Sequence, residues 1–389
     1  MLYLIVGLNI IVHGAFLGSR LIVSLYALQE FKATPLEVGM MVALYTVPPW
    51  LLGVYAGRVN DRYGARKPML FGSALVGIGL LVPYFWRSLP ALYVLAVLLG
   101  TGFVFYNAAN QNLAGAFGPR EDRAKNFSTM ALGYSLSSLV GPLAGGYSID
   151  YLSPAIAFLI FACMLLIPFT VLWRFRGLTA SVSARTETRS SSTFDLLRMP
   201  ELRRTLILGA LVVTGWDLYL FYLPIYGNSI GMTGALIGKV MAVFAVGTFV
   251  VRFAMPWLVK RFTARYTLAA FVVFGAVMLV TVPFVTNVWF LGGVSFLLGL
   301  ALGCGQPLTL MLAYNRSPAG RTGEVTGIRL TLNHGMHSVV PLIAGAIGSA
   351  FGAIPPFLMT ALILGSSGYL ATKVTPTAQV IPPEDKPPR

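Results

Sequence analysis

Of the 13 acidic residues in this 389-residue chain, Asp217 alone stands deep inside a long apolar run, in the segment Gly215, Trp216, Asp217, Leu218, Tyr219. A carboxylate in hydrocarbon costs several kcal/mol unless it is paired, protonated or open to water, so an acid at such a position is functional by default. Desolvation favours its neutral form, which makes it a candidate proton carrier. Arg20 lies inside another apolar run and is the residue type that would pair with Asp217, with His13 two turns before it on the same helix face. Arg20, His13 and one acid form a set that is net neutral to positive, suited to a carboxylate- or phosphate-bearing solute through bidentate arginine contacts.

Further polar groups fall at helical spacing within other apolar runs: Asn107, Asn110 and Gln111; Gln306 and Thr309; and Arg329, Asn333 and His337. His334 falls off that last face, toward a neighbouring helix. The expected solute-binding set is therefore Arg20, His13, Asn107, Asn110, Gln111, Asp217, Tyr219, Gln306, Arg329 and Asn333, with Asp217, His13 and His337 as proton carriers. No nucleophile stands beside a base, and Cys163 and Cys304 lack metal-ligand spacing, so neither an enzyme nor a metal or cofactor site is expected.

The elements that must position these groups are set by composition. At 56% hydrophobic and 11% charged residues the chain lies outside the range of soluble domains. Its apolar residues come in blocks of about 20 to 25, the length that crosses a bilayer as helix. The spans are placed at 2–28, 37–58, 69–87, 91–117, 125–150 and 155–174, then at 203–229, 234–258, 267–286, 288–314, 323–350 and 354–372. The first follows Met1 with no basic region or cleavage site, and reads as a retained helix. An all-α membrane protein of twelve transmembrane helices follows. The third, sixth, ninth and twelfth, nearly all apolar, are expected to face lipid.

The formal charge of +15 does not point to nucleic acid, because nearly all of it sits in alternate connections. Arg58, Arg62, Arg66 and Lys67 follow the second span, Arg120, Arg123 and Lys125 the fourth, seven arginines lie between 174 and 204, and Lys260, Arg261, Arg265, Arg316 and Arg321 continue the series. The opposite connections hold Lys32, Arg87 and Lys239. This bias is the positive-inside rule, which places both termini in the cytoplasm and the basic loops against anionic headgroups.

The chain also repeats itself at an offset of 199. Gly39 falls on Gly238, Ala43 on Ala242, Arg62 on Arg261, Arg66 on Arg265, Pro142 on Pro341 and Gly146 on Gly345, and Arg20 falls on Tyr219, close to Asp217. The expected organisation is two pseudo-symmetric six-helix bundles, 1–174 and 203–372, joined by a Ser/Thr/Arg-rich cytoplasmic linker at 175–202 and followed by a disordered tail at 373–389. Within the linker, Phe194 to Met199 reads as a short amphipathic turn before Pro200. Parallel repeats of this kind imply a site at their interface near the midplane, reached alternately from each side.

After the second span the chain reads Gly57, Arg58, Val59, Asn60, Asp61, Arg62, Tyr63, Gly64, Ala65, Arg66, Lys67. This resembles the G-x-x-x-D-R-x-G-x-R-K signature of the major facilitator superfamily, with an echo from Pro256 to Arg265. The resemblance implies a gate in which Asp61 caps the N-terminus of the eleventh helix, held by Arg62 and Arg66, since a helix N-terminus favours negative charge. Gly141, Pro142, Leu143, Ala144, Gly145 and Gly146 of the fifth span resemble the G-P-x-x-G-G element of proton-driven drug exporters in that superfamily. Exporters with that element usually carry an arginine in the fourth helix, where this chain has Ala96. The resemblance implies a monomeric secondary transporter of the bacterial inner membrane. It moves a small anionic or amphipathic organic solute by alternating access, with proton-coupled efflux as the first reading and proton-coupled import of an organic anion as the alternative. Its partners are the solute, protons and membrane lipids.

Overall fold

The computed structural model describes residues 2–116, 123–174, 194–318 and 321–373. The first half holds α1 (Leu2–Gln29), α2 (Pro35–Leu44), α3 (Val47–Tyr63), α4 (Arg66–Phe85), α5 (Leu89–Ala116), α6 (Arg123–Tyr151), α7 (Pro154–Met164) and α8 (Leu166–Arg174). After α9 (Phe194–Arg198), the second half holds α10 (Pro200–Ser229), α11 (Gly234–Phe262), α12 (Ala264–Thr281), α13 (Val288–Gly303), α14 (Gly305–Asn315), α15 (Thr322–Phe351) and α16 (Ile354–Lys373). Helices account for every expected span to within a few residues. Most of the 175–202 linker and all of the tail beyond Lys373 lie outside the described residues.

Three spans expected as single helices are built from two: α2 with α3, α7 with α8, and α13 with α14. The cause is local. Pro48, Pro168 and Pro307 each lack the N–H that would bond the carbonyl four residues back, and those carbonyls belong to Leu44, Met164 and Gly303, the last residues of α2, α7 and α13. Pro83, Pro142, Pro224 and Pro341 lie within unbroken helices, so neighbouring packing decides whether the lost bond opens a joint.

Ten spans among the described residues are long and apolar enough to cross a membrane. Two more, α6 and α15, have the length at 29 and 30 residues but carry more glycine, serine and polar groups, and fall outside those ten. That dilution suits their packing, since α6 lies against α1 and α11, and α15 against α10 and α2. The outer α4, α7, α12 and α16 instead expose Phe71, Ile78, Ile160, Val273 and Leu362, as lipid-facing helices do. The expected turn before Pro200 is α9, whose Leu196 clusters with Leu202, Leu206, Ala313 and Val325.

The two halves meet through α6 against α11 and α2 against α15. In α6 the element Gly141 to Gly146 makes this possible on both of its faces. A Cβ on Gly141 would stand 2.6 Å from the carbonyl oxygen of Gly14, and one on Gly145 2.7 Å from that of Gly18, so α1 lies backbone to backbone with α6. On the opposite face Gly238 of α11 meets the carbonyl of Pro142 in the same way, at 2.6 Å from its would-be Cβ.

Candidate functional site

Asp217 is buried in the middle of α10, at 5% exposure. Its Oδ1 lies 2.6 Å from Nδ1 of His337 on α15, a helix packed along α10. Asp217 Oδ2 has no hydrogen-bond partner among the described residues, so one half of the carboxyl is committed and the other is available. The imidazole of His337 is 24% exposed as a side chain and sits 5.9 Å, ring to ring, from that of His334. A buried acid thus connects through one histidine to a second, in a row of three titratable groups. His334 had been expected to point away from this face. The i, i+3 spacing instead lays the two rings side by side.

Arg20 was the expected ion-pair partner of Asp217, and the structure corrects that. No acidic group lies within ion-pair distance of Arg20 among the described residues, because His337 has taken the carboxylate. The guanidinium, half-buried on α1, still feels the charge of Asp217 and lies near Tyr45. It is a cation in a span without a bound counter-charge.

The wall formed by the first half is aromatic. His13 stacks on Phe103 at 5.4 Å and meets Tyr134 edge-on at 5.0 Å, while Phe103 stacks on Phe16 at 4.2 Å. The Tyr134 hydroxyl donates to Oδ1 of Asn107 at 2.6 Å and accepts from Nδ2 of Asn110 at 3.5 Å, and Gln111 stands beside the same hydroxyl. Asn107, Asn110, Gln111 and His13 are therefore brought together, around a tyrosine of α6 and phenylalanines whose place sequence reasoning missed. Aromatic residues in a helix read as core by default, and nothing in their spacing marks a cavity wall.

Other expected members fall elsewhere. Tyr219 is fully buried inside the second half, with its hydroxyl bonded to Ser295 and its ring against Phe244, so it faces no cavity. Thr309 turns its hydroxyl to the carbonyls of Gly305 and Gln306 and packs at Gly209 of α10. Arg329 donates through Nη2 to the carbonyl of Gln306 at 3.1 Å, bracing α15 against the short α14. Its Nε and the Oδ1 of Asn333, one turn further along α15, are buried without partners among the described residues. Arg252 on α11, not singled out from sequence, reaches across to α6 and donates to Ser135 Oγ at 3.0 Å. The test that selects Asp217, a charge within an apolar span, applies equally to it.

On the side away from the chain ends the halves are clasped by polar contacts. Asp150, at the end of α6, accepts from the N–H groups of Gly234 and Ala235 at 2.8 and 2.7 Å, capping the N-terminus of α11. Its repeat counterpart Ser349 accepts from the N–H of Leu36 at 2.9 Å, at the start of α2. Thr46 and Ser338 pair at 2.9 Å, and Gln29 donates to Asn228 at 3.1 Å. His337 and Asn107 keep part of their surface exposed, and Gln111 is exposed.

In the segment from Gly57 to Lys67, Gly64 closes α3 at a φ of 73°, a conformation natural to glycine. Arg62 and Lys67 both lie over the Tyr63 ring at 5.3 Å. Arg66, expected to steady Asp61, donates to the carbonyls of Leu172 and Trp173 at 2.8 and 2.7 Å, capping the C-terminus of α8. The contacts of the Asp61 side chain and of the first residues of α15 lie outside what the structure describes. Among the described residues no three metal-binding side chains converge.

Comparison with known proteins agrees with this architecture. The chain is 24% identical over 336 residues to the uncharacterized MFS-type transporter YuxJ of Bacillus subtilis, covering 84% of each chain. It is 27% identical over 321 residues to the multidrug resistance protein MdtG of Escherichia fergusonii, covering 79% of this chain and 77% of that one. Its fold is shared with a POT family transporter in complex with 5-aminolevulinic acid, at a TM-score of 0.80 and 13% identity over 96% of both chains. It is shared too with a bacterial homolog of the human lysosomal transporter Spinster in an inward-facing and occupied conformation, at a TM-score of 0.75 and 14% identity over 96% and 97%. The family model of the Major Facilitator Superfamily matches residues 6–341. An all-helical chain of this pattern, folded in this way and matched over most of its length, belongs to the Major Facilitator Superfamily of transporters.

Proposed function

We propose that this protein is a proton-coupled secondary transporter that exports a small anionic or amphipathic organic solute by alternating access. The observation that carries the reading is the contact of Asp217 Oδ1 with His337 Nδ1 at 2.6 Å, beside an Arg20 that holds no counter-ion. A carboxyl that trades a proton with its histidine changes the charge facing Arg20, so protonation and solute binding act on one local field. Export is favoured by the fifth-span element and by the name of the MdtG relatives. The alternative is proton-coupled import of an organic anion, and the unpaired guanidinium of Arg20 favours it. In either case we place the protein in the bacterial cytoplasmic membrane with both termini inside, as a monomer in contact with anionic lipids.

The test is Asp217→Asn in proteoliposomes with an imposed pH difference. The variant should exchange solute between the two faces yet fail to concentrate it, because the neutral amide carries no proton. Full pH-driven accumulation by this variant would move the coupling role to the histidines or remove the proton from the mechanism. Arg20→Ala should lose anionic solutes selectively, and equal binding of neutral and anionic solutes by variant and wild type would make Arg20 structural.

A further inference from the structure

The basic groups held deep within spans are Arg20, Arg252 and Arg329, and the one acid among them, Asp217, is taken by His337. A cation in a low-dielectric interior is costly without a partner. Arg252 and Arg329 each use one terminal nitrogen on a neutral oxygen, Ser135 Oγ and the Gln306 carbonyl, and each leaves a buried Nε unsatisfied among the described residues. What is missing is negative charge.

Arg252 is the better placed of the two to receive it. Its partner Ser135 belongs to the opposite half, so the guanidinium occupies the seam between α11 and α6. The Ser135 hydroxyl donates to the carbonyl of Ala131, and a rotation would turn it toward an anion held by Arg252. At 1.5 Å per residue, Arg252 lies about 15 Å from the chain-end side of α11, whereas Asp217 lies about 25 Å from that of α10. A solute moving inward meets Arg252 first. We propose that Arg252 is a second anion-binding residue of the transport pathway, receiving the carboxylate or phosphate group of the solute before Arg20 does. This rests on the transport reading above and is independent of which group carries the proton.

The test is binding of benzoate, phenyl phosphate and the neutral benzamide to the full chain in lipid nanodiscs, followed by intrinsic tryptophan fluorescence. Wild type should bind the two anions in preference to benzamide. Arg252→Gln should bind both anions roughly tenfold more weakly, as for loss of one charge-assisted hydrogen bond, with benzamide unchanged. Ser135→Ala removes the link between the halves but keeps the cation, and should stay within about twofold of wild type. If the glutamine variant does not fold, Arg252→Lys decides, since loss of the bidentate fork should weaken phenyl phosphate severalfold and spare benzamide. The proposal is overturned by a wild type that responds to neither anion or equally to benzamide, by an Arg252→Gln protein that keeps the anion response, or by Ser135→Ala reproducing the loss, which would make Arg252 a tether. Asp217→Asn tests coupling separately and should leave the Arg252 effect in place.

Discussion

Gln29 and Asn228 meet at 3.1 Å and stand 199 residues apart, the offset of the internal repeat, so a residue and its own repeat copy touch where the two halves close. Such a contact forms only on the axis that relates the halves. Tying these positions should therefore hold one state. Gln29→Cys with Asn228→Cys, joined by a short bifunctional thiol reagent in a background lacking Cys163 and Cys304, should stop transport and recover on reduction. Undiminished transport by the joined protein would show that this end need not open.

His334 and His337 should differ in severity. His337 holds the buried oxygen of Asp217, and its loss leaves that carboxyl without its partner. His337→Gln should reduce pH-driven accumulation by tenfold or more, whereas His334→Gln, one step further along, should slow it by a few-fold. Initial rates across a series of imposed pH differences measure both, and equal defects would mean that the histidines act as a unit.

Asp150 caps α11 with two charge-assisted bonds, and a cap of this kind is worth about 0.5–2 kcal/mol. Asp150→Ala should lower thermal stability by that order and raise the reactivity of cysteines placed on the far side, where the clasp is loosened. Unaltered labelling there would limit Asp150 to a role within the helix ends.

Gly141→Leu cannot be accommodated by a side-chain shift, since the clash is with backbone of α1. The expected result is loss of folded protein or of transport. Gly293→Leu, on an exposed face of α13 where nothing lies within 4 Å of an added Cβ, should be tolerated and serves as the control.

The fold was largely legible in the sequence because a bilayer imposes length and apolarity on every span, and the charge bias and the 199-residue repeat are unaffected by tertiary detail. The joints in three spans were less legible: the prolines within spans look alike, and only packing separates those that open a helix from those that do not. Within the site, Asp217, Arg20 and His337 could be found because ionisable groups in hydrocarbon are conspicuous. Their pairing could not, since Arg20 and His337 are both chemically fit partners for Asp217 and the choice between them depends on the approach of α15 to α10. Tyr219 was misplaced for a related reason, as one residue of register turns a helical side chain from cavity to core.

The bare strip from Gly141 to Gly146 has a mechanical consequence. Helices that interlock through side chains must lift their ridges out of one another's grooves before they can shift. Where α6 meets α1 and α11 at its glycines there is little to lift, because backbone lies on backbone. α6 thus has the build of a plain bearing shared by both halves, smooth along its glycine strip and caught at two points, by Arg252 at Ser135 and by the Asp150 cap.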